Sequence, residues 1–308
     1  MERGSLILQS IRSAALHSIR YYNLYLPPGY KHSRERYPVL YLFRGHEREW
    51  CNPEEDPHRG NTSVIEILDE LIGAGKIAPL IAVMPGLNSR DNSLPGLGVN
   101  FRQPHRAKRS RMGTGRFDDY LVNELIPAVD RRYKTAKGLR AVDGFSLGGY
   151  TSMLLAAKYP RLWVSAGAYD GTHMWKALID PRKKDKRPND TTWLENPMFD
   201  PAFGKPRDLR YMRKYNPTDI VANMNRRDLA ALRKISFHIH SANFDGDKGN
   251  LDRARHFVEV LASRGIENSF ADTPLSKTAL HTWRHADLHM RKTLPLHDEA
   301  FQRRRILA

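Results

Sequence analysis

The chain has 308 residues, 40% of them hydrophobic and 27% charged, with a formal charge of +16. That length can bury one large core, and the lack of any run of about 18 apolar residues leaves no candidate for a membrane-spanning helix. A single cysteine, Cys51, excludes an intramolecular disulfide, and the first residues lack the pattern of a signal peptide, so the expected location is cytoplasmic.

Apolar and polar residues alternate over residues 6–11 and 21–26, which reads as an antiparallel hairpin at a sheet edge. Residues 37–43 are nearly continuous in apolar side chains, as a strand buried on both faces of a parallel sheet must be. Further strands of that kind are expected at 80–84, 139–142, 164–168 and 235–239, with a last one near 269–272. Helical spacing of three and four occupies 63–72, 117–133, 147–159 and 252–264. Alternating strands and helices specify a mostly parallel sheet, of about eight strands, with helices on both faces. Residues 171–234 break the rhythm with Pro, Asn, Asp and basic residues, and read as a cap-like insertion over the carboxyl end of the sheet in an otherwise single domain. The basic stretches 102–111 and 182–187 lie among prolines or glycines and read as solvated loops.

The informative stretch is Gly144-Phe145-Ser146-Leu147-Gly148, a G-x-S-x-G set between a strand and a helix. This is the nucleophile elbow of the α/β-hydrolase fold: a turn tight enough to project the serine hydroxyl needs glycine on either side of it. The helix that follows aims its N-terminus at a developing oxyanion, and Leu147 N–H is the nearest donor. A second donor is expected from the loop after the third strand, where His46 N–H is the candidate.

In this fold the order along the chain is Ser, then Asp or Glu, then His. His281, in the loop after the last expected strand, is the candidate base. The acid is expected after residues 235–239, with Asp245, Asp247 and Asp252 available; Asp252 opens a helix and is explained by the dipole alone. His281, His285 and His289 at i, i+4 and i+8, with His238 and His240 on one strand, form a rival metal reading that no carboxylate at ligand spacing supports.

The residues resemble the putative esterase family, which includes esterase D, feruloyl esterases, enterochelin esterase-like enzymes and mycolyltransferases. The resemblance rests on Tyr25-Leu26-Pro27-Pro28-Gly29-Tyr30, on the strand at 37–42 with Gly45, on residues 117–133, on Gly144 to Tyr150 and on His281-Thr282-Trp283. It implies hydrolysis of carboxylic esters without a cofactor, through an acyl-enzyme, on an acyl group joined to a sugar or other alcohol. It also implies His281 as base and the amides of His46 and Leu147 as the oxyanion hole. The family's habit of placing its acid about three residues after a small strand-ending residue selects Asp245, counted from Ala242. Arg44 stands where the family usually has His or Asp, and Ala279-Leu280 where paired glycines are frequent.

Arg44, Arg48 and Trp283 are the candidate substrate contacts, and the two arginines suggest esters carrying an acidic group. Two other readings differ in class: an acyltransferase using the same acyl-enzyme, and a non-catalytic protein binding nucleic acid or another acidic polymer. Aromatic residues do not interleave with the basic runs as a base-stacking platform requires, which disfavours nucleic acid.

Overall fold

The structure is a computed structural model that describes residues 2–57, 59–110, 112–244 and 249–307. Seven strands form one sheet: β1 (Ser5–Ser13), β2 (Ser18–Leu26), β3 (Tyr37–Phe43), β4 (Ile81–Pro85), β5 (Thr135–Gly144), β6 (Ser165–Tyr169) and β7 (Ser236–His240). Their order is β1-β2-β4-β3-β5-β6-β7, with β1 and β2 antiparallel to their neighbours and the others parallel. This is the α/β-hydrolase arrangement expected from the alternation of elements, with the antiparallel hairpin at one edge.

Every residue of β3 is buried, and the two-residue period of a strand divides it between two cores. Val39, Tyr41 and Phe43 face one core with Val83 and Val142, whereas Leu40 and Leu42 face the other with Ala82 and Ala141. The first core is closed by α3 (Leu147–Lys158), the second by α1 (Val64–Gly73) and α5 (Trp283–Ile306); α2 (Ile126–Arg132) and α4 (Asn250–Ser263) complete the main helices. In α3 every residue from Gly148 to Ala157 is buried, so this helix has no solvent stripe and its position is set by packing on all sides. The start of α1 is fixed locally, by a capping box between Ser63 and Glu66. Among the described residues, no helix is long and apolar enough to cross a membrane.

The expected eighth strand near 269–272 is absent among the described residues; Asn268 makes only an isolated bridge to Phe237. The Asn268 side chain takes over the ladder there, accepting from Ile239 N–H (2.7 Å) and donating to Ile239 O (3.0 Å). A side chain thus satisfies the backbone groups that a further strand would have paired.

Residues 171–234 fold as short helices, among them Thr191–Glu195, Asp200–Phe203, Leu209–Arg213, Pro217–Ala222 and Arg226–Leu232. They pack into the first core through Trp193, fully buried between Phe199 (ring centroids 4.3 Å apart) and Tyr150 of α3 (4.8 Å).

Candidate active site

Ser146 follows β5 and begins the turn into α3 with φ 59° and ψ −122°, a conformation that L-residues avoid unless the surroundings impose it. The surroundings are backbone. A Cβ on Gly144 would lie 2.2 Å from Gly148 O, and one on Gly148 would lie 1.9 Å from Phe43 O, so neither glycine can be replaced without opening the turn. Ser146 N–H donates to Tyr169 O (3.0 Å), tying the elbow to the end of β6.

Because β6 is the direct neighbour of β5, the chain leaving β6 emerges beside the elbow. Asp170 is there, fully buried, and its carboxylate accepts a hydrogen bond from His281 Nδ1. The same carboxylate accepts from Ala242 N–H (2.9 Å), and Asp170 N–H donates to His240 O (2.8 Å), so the end of β7 holds the aspartate in place. His281 lies against Phe145, with ring centroids 4.7 Å apart, and Tyr169 OH donates to Leu280 O (2.6 Å) just ahead of it. With Nδ1 donating, Nε2 is left as the acceptor that a general base needs.

Ser146 and His281 line one pocket of about 580 Å³, together with Arg44, Asn88, Leu147, Thr172 and, from the short helices, Thr191, Thr192, Asn196, Met198 and Phe199. The structure forms no hydrogen bond between the two residues, and such contacts commonly tighten only around a substrate. Leu147 opens α3, so its N–H has no acceptor within the helix and faces the end where positive dipole accumulates.

Other expectations fare differently. Asp245, expected to orient His281, lies outside the described residues, as does Asp247; among the described residues the carboxylate bonded to His281 is that of Asp170. His46 N–H, expected to serve an oxyanion, donates instead to Glu49 Oε2 at 2.6 Å, alongside Gly45 N–H at 2.6 Å. Charge-assisted bonds of this kind are strong, so that donor is occupied. Arg48 lies in a neighbouring cleft and pairs with Glu55 (2.5 Å). Trp283 is buried against Phe145 and Trp50, 5.1 Å from each, with Arg59 over its ring at 4.6 Å; it packs beneath the His281 turn and does not line the pocket.

Arg44 does line the pocket. Its guanidinium stands 5.3 Å from the Phe145 ring, its Nε is buried without a hydrogen-bond partner, and the described lining includes no Asp or Glu. Of the histidines of the metal reading, His281 bonds Asp170 and His285 bonds Thr282 (2.9 Å), whereas His289 reaches Asp143 (3.1 Å) and His240 (3.0 Å), and His238 meets Ser165 (2.9 Å) and Ser269 (2.8 Å). Among the described residues no group of His, Cys, Asp and Glu is placed to hold a metal ion.

Residues 13–210 match the sequence pattern of the putative esterase family. The chain belongs to that family. This esterase-family chain is 33% identical over 170 residues to an endo-1,4-beta-xylanase/feruloyl esterase of Xylanibacter ruminicola, a match covering 52% of the chain and 21% of that protein. It thus spans about a fifth of the length of that curated relative. Among solved structures, a ferulic acid esterase superposes with a TM-score of 0.71 at 16% identity, covering 97% of this chain and 100% of that one. An S-formylglutathione hydrolase from Agrobacterium tumefaciens superposes with a TM-score of 0.69 at 18% identity, covering 98% and 97%. These two likenesses show the shared fold.

Proposed function

We propose that this esterase-family chain hydrolyses carboxylic esters through an acyl-enzyme, with Ser146 as nucleophile, His281 as base and Asp170 as the acid that orients it. The observation that carries this reading is the strained Ser146 at the head of α3, sharing one pocket with a histidine whose far nitrogen is bonded to a buried carboxylate. Ser146 Oγ attacks the ester carbonyl as His281 Nε2 takes its proton, and Asp170 stabilises the resulting imidazolium. Negative charge develops on the carbonyl oxygen, which Leu147 N–H and the α3 N-terminus meet. Collapse of the intermediate expels the alcohol, protonated by His281, and water then repeats the sequence on the acyl-serine.

The test is a panel of chromogenic acetyl, butyryl and feruloyl esters assayed with native enzyme and Ser146→Ala. Losing the nucleophile should lower turnover by about a million-fold, and a variant retaining a few per cent would overturn the assignment.

For the substrate, this reading favours an acyl group on a sugar or other alcohol, with an acidic group on one side of the ester. Arg44 supports the acidic group, since it brings a positive charge to a pocket whose described lining has no carboxylate.

A further inference from the structure

Directly beneath the elbow lies a second carboxylate that the reaction does not touch. Asp143 is the strand residue before Gly144 and is fully buried. It accepts from Gly144 N–H (2.6 Å), from His289 Nε2 (3.1 Å), from His297 Nε2 (3.0 Å) and from Thr293 Oγ1 (3.2 Å). Three of these donors stand at i, i+4 and i+8 on α5, one face of the helix that begins two residues after His281.

The network continues outward on two arms. His297 Nδ1 meets Ser165 Oγ (2.7 Å), which meets His238 Nε2 (2.9 Å), and His238 Nδ1 meets Ser269 Oγ (2.8 Å). On the other arm His289 Nδ1 meets His240 Nδ1 (3.0 Å). Burial favours the uncharged carboxyl at Asp143, but His289 and His297 outweigh it and hold the group below the usual carboxylate range. Burial keeps His238 and His240 neutral. With one negative charge at Asp143, an assignment in which every ring carries one proton satisfies both arms. Ser269 donates to His238, His238 to Ser165, Ser165 to His297 and His297 to Asp143, while His240 donates to His289 and His289 to Asp143.

An ionised carboxylate in a core is costly, and apolar residues of similar volume would hold α5 to the sheet at least as well. A fully satisfied polar network instead admits one register and one orientation. The two elements it joins are the strand that carries Ser146 and the helix that follows His281. We propose that Asp143 is a positioning residue that sets the distance between nucleophile and base by locking α5 onto the end of β5; this rests on the triad reading above.

The experiment measures kcat and KM for p-nitrophenyl acetate per reactive serine, counted with a fluorophosphonate probe, for Asp143→Asn, His297→Leu and His297→Gln. In Asp143→Asn an amide N–H₂ must face a ring N–H, which forces one arm to reverse its tautomers. Displacements near 1 Å can cost about a hundred-fold in rate, so kcat should fall at least ten-fold in Asp143→Asn and in His297→Leu, with KM nearly unchanged. His297→Gln keeps a donor near the Nε2 position and should recover most of the loss. Should Asp143→Asn fail to fold, the two His297 variants carry the comparison. Folded variants with native kcat per reactive serine, or equal losses in His297→Leu and His297→Gln, would overturn the proposal. A Ser146→Ala enzyme that stays active would instead overturn the triad reading.

Discussion

Replacing Asp170 by asparagine changes one atom, yet it lets the amide donate toward His281 Nδ1 and so favours the tautomer with its proton on Nε2, where it blocks the serine. Turnover of Asp170→Asn should fall by roughly 10⁴-fold with substrate binding nearly unchanged. Asp245→Asn, measured beside it, should turn over at the native rate; the opposite pattern would return the role to the segment after β7. That Ser146 and His281 should share one pocket was legible in the sequence, because a glycine-flanked elbow is a local pattern and chain order leaves the proposed base late. The bond from His281 to Asp170 was not, because a carboxylate after β6 satisfies that same order as well as one after β7. Its signal was present in Tyr169-Asp170-Gly171, an aspartate just past the strand beside the nucleophile strand. The hydrogen bonds of Glu49 were equally out of reach, since a carboxylate curling back three residues onto His46 N–H leaves no periodic trace.

At the scale of elements, the short helices between β6 and β7 are a wall of the pocket rooted in the core. Trp193 is 0% exposed and wedged between Phe199, which lines the pocket, and Tyr150 of α3. Trp193→Ala should cost about 3–5 kcal/mol, read as a lower urea midpoint with an unchanged slope. It should also raise KM, because Thr191 and Thr192 beside it line the same pocket. A midpoint equal to that of the native protein would mean that the wall is independent of the core. Sequence pattern located β1 to β7 and α1 to α4, by alternation, by unbroken apolar runs or by three- and four-residue spacing, but not the 24-residue α5. It did not resolve these short helices of four to seven residues, which are too brief to show a period. It also took residues 269–272 for a strand where Asn268 does the pairing with its side chain.

Over the whole molecule, a charge of +16 sets up a field that gathers anions, while Arg44 offers a specific partner inside the pocket. The two effects separate experimentally by comparing p-nitrophenyl hemisuccinate with the neutral butyrate ester. The field is screened over about 10 Å at 0.1 M salt, so kcat/KM for the anionic ester should decline as salt rises while that for the butyrate stays level. Arg44→Ala should lower the anionic-to-neutral ratio about ten-fold at any one salt concentration, the scale of a hydrogen bond to a charged group. A ratio unchanged in Arg44→Ala would remove that residue from substrate recognition.

Ser146 and Asp170 lie on neighbouring strand ends joined by α3, so a local unit of the chain brings them together early. His281 arrives only with α5, whose bonds to Asp143 join residues that lie 146 and 154 positions apart in the chain. Contacts of large sequence separation form late because their loop entropy must first be overcome. On the proposed triad, ester cleavage should therefore be the last property a refolding chain regains, after its sheet and its buried helix are in place, as activity and far-UV signal followed together during refolding would show.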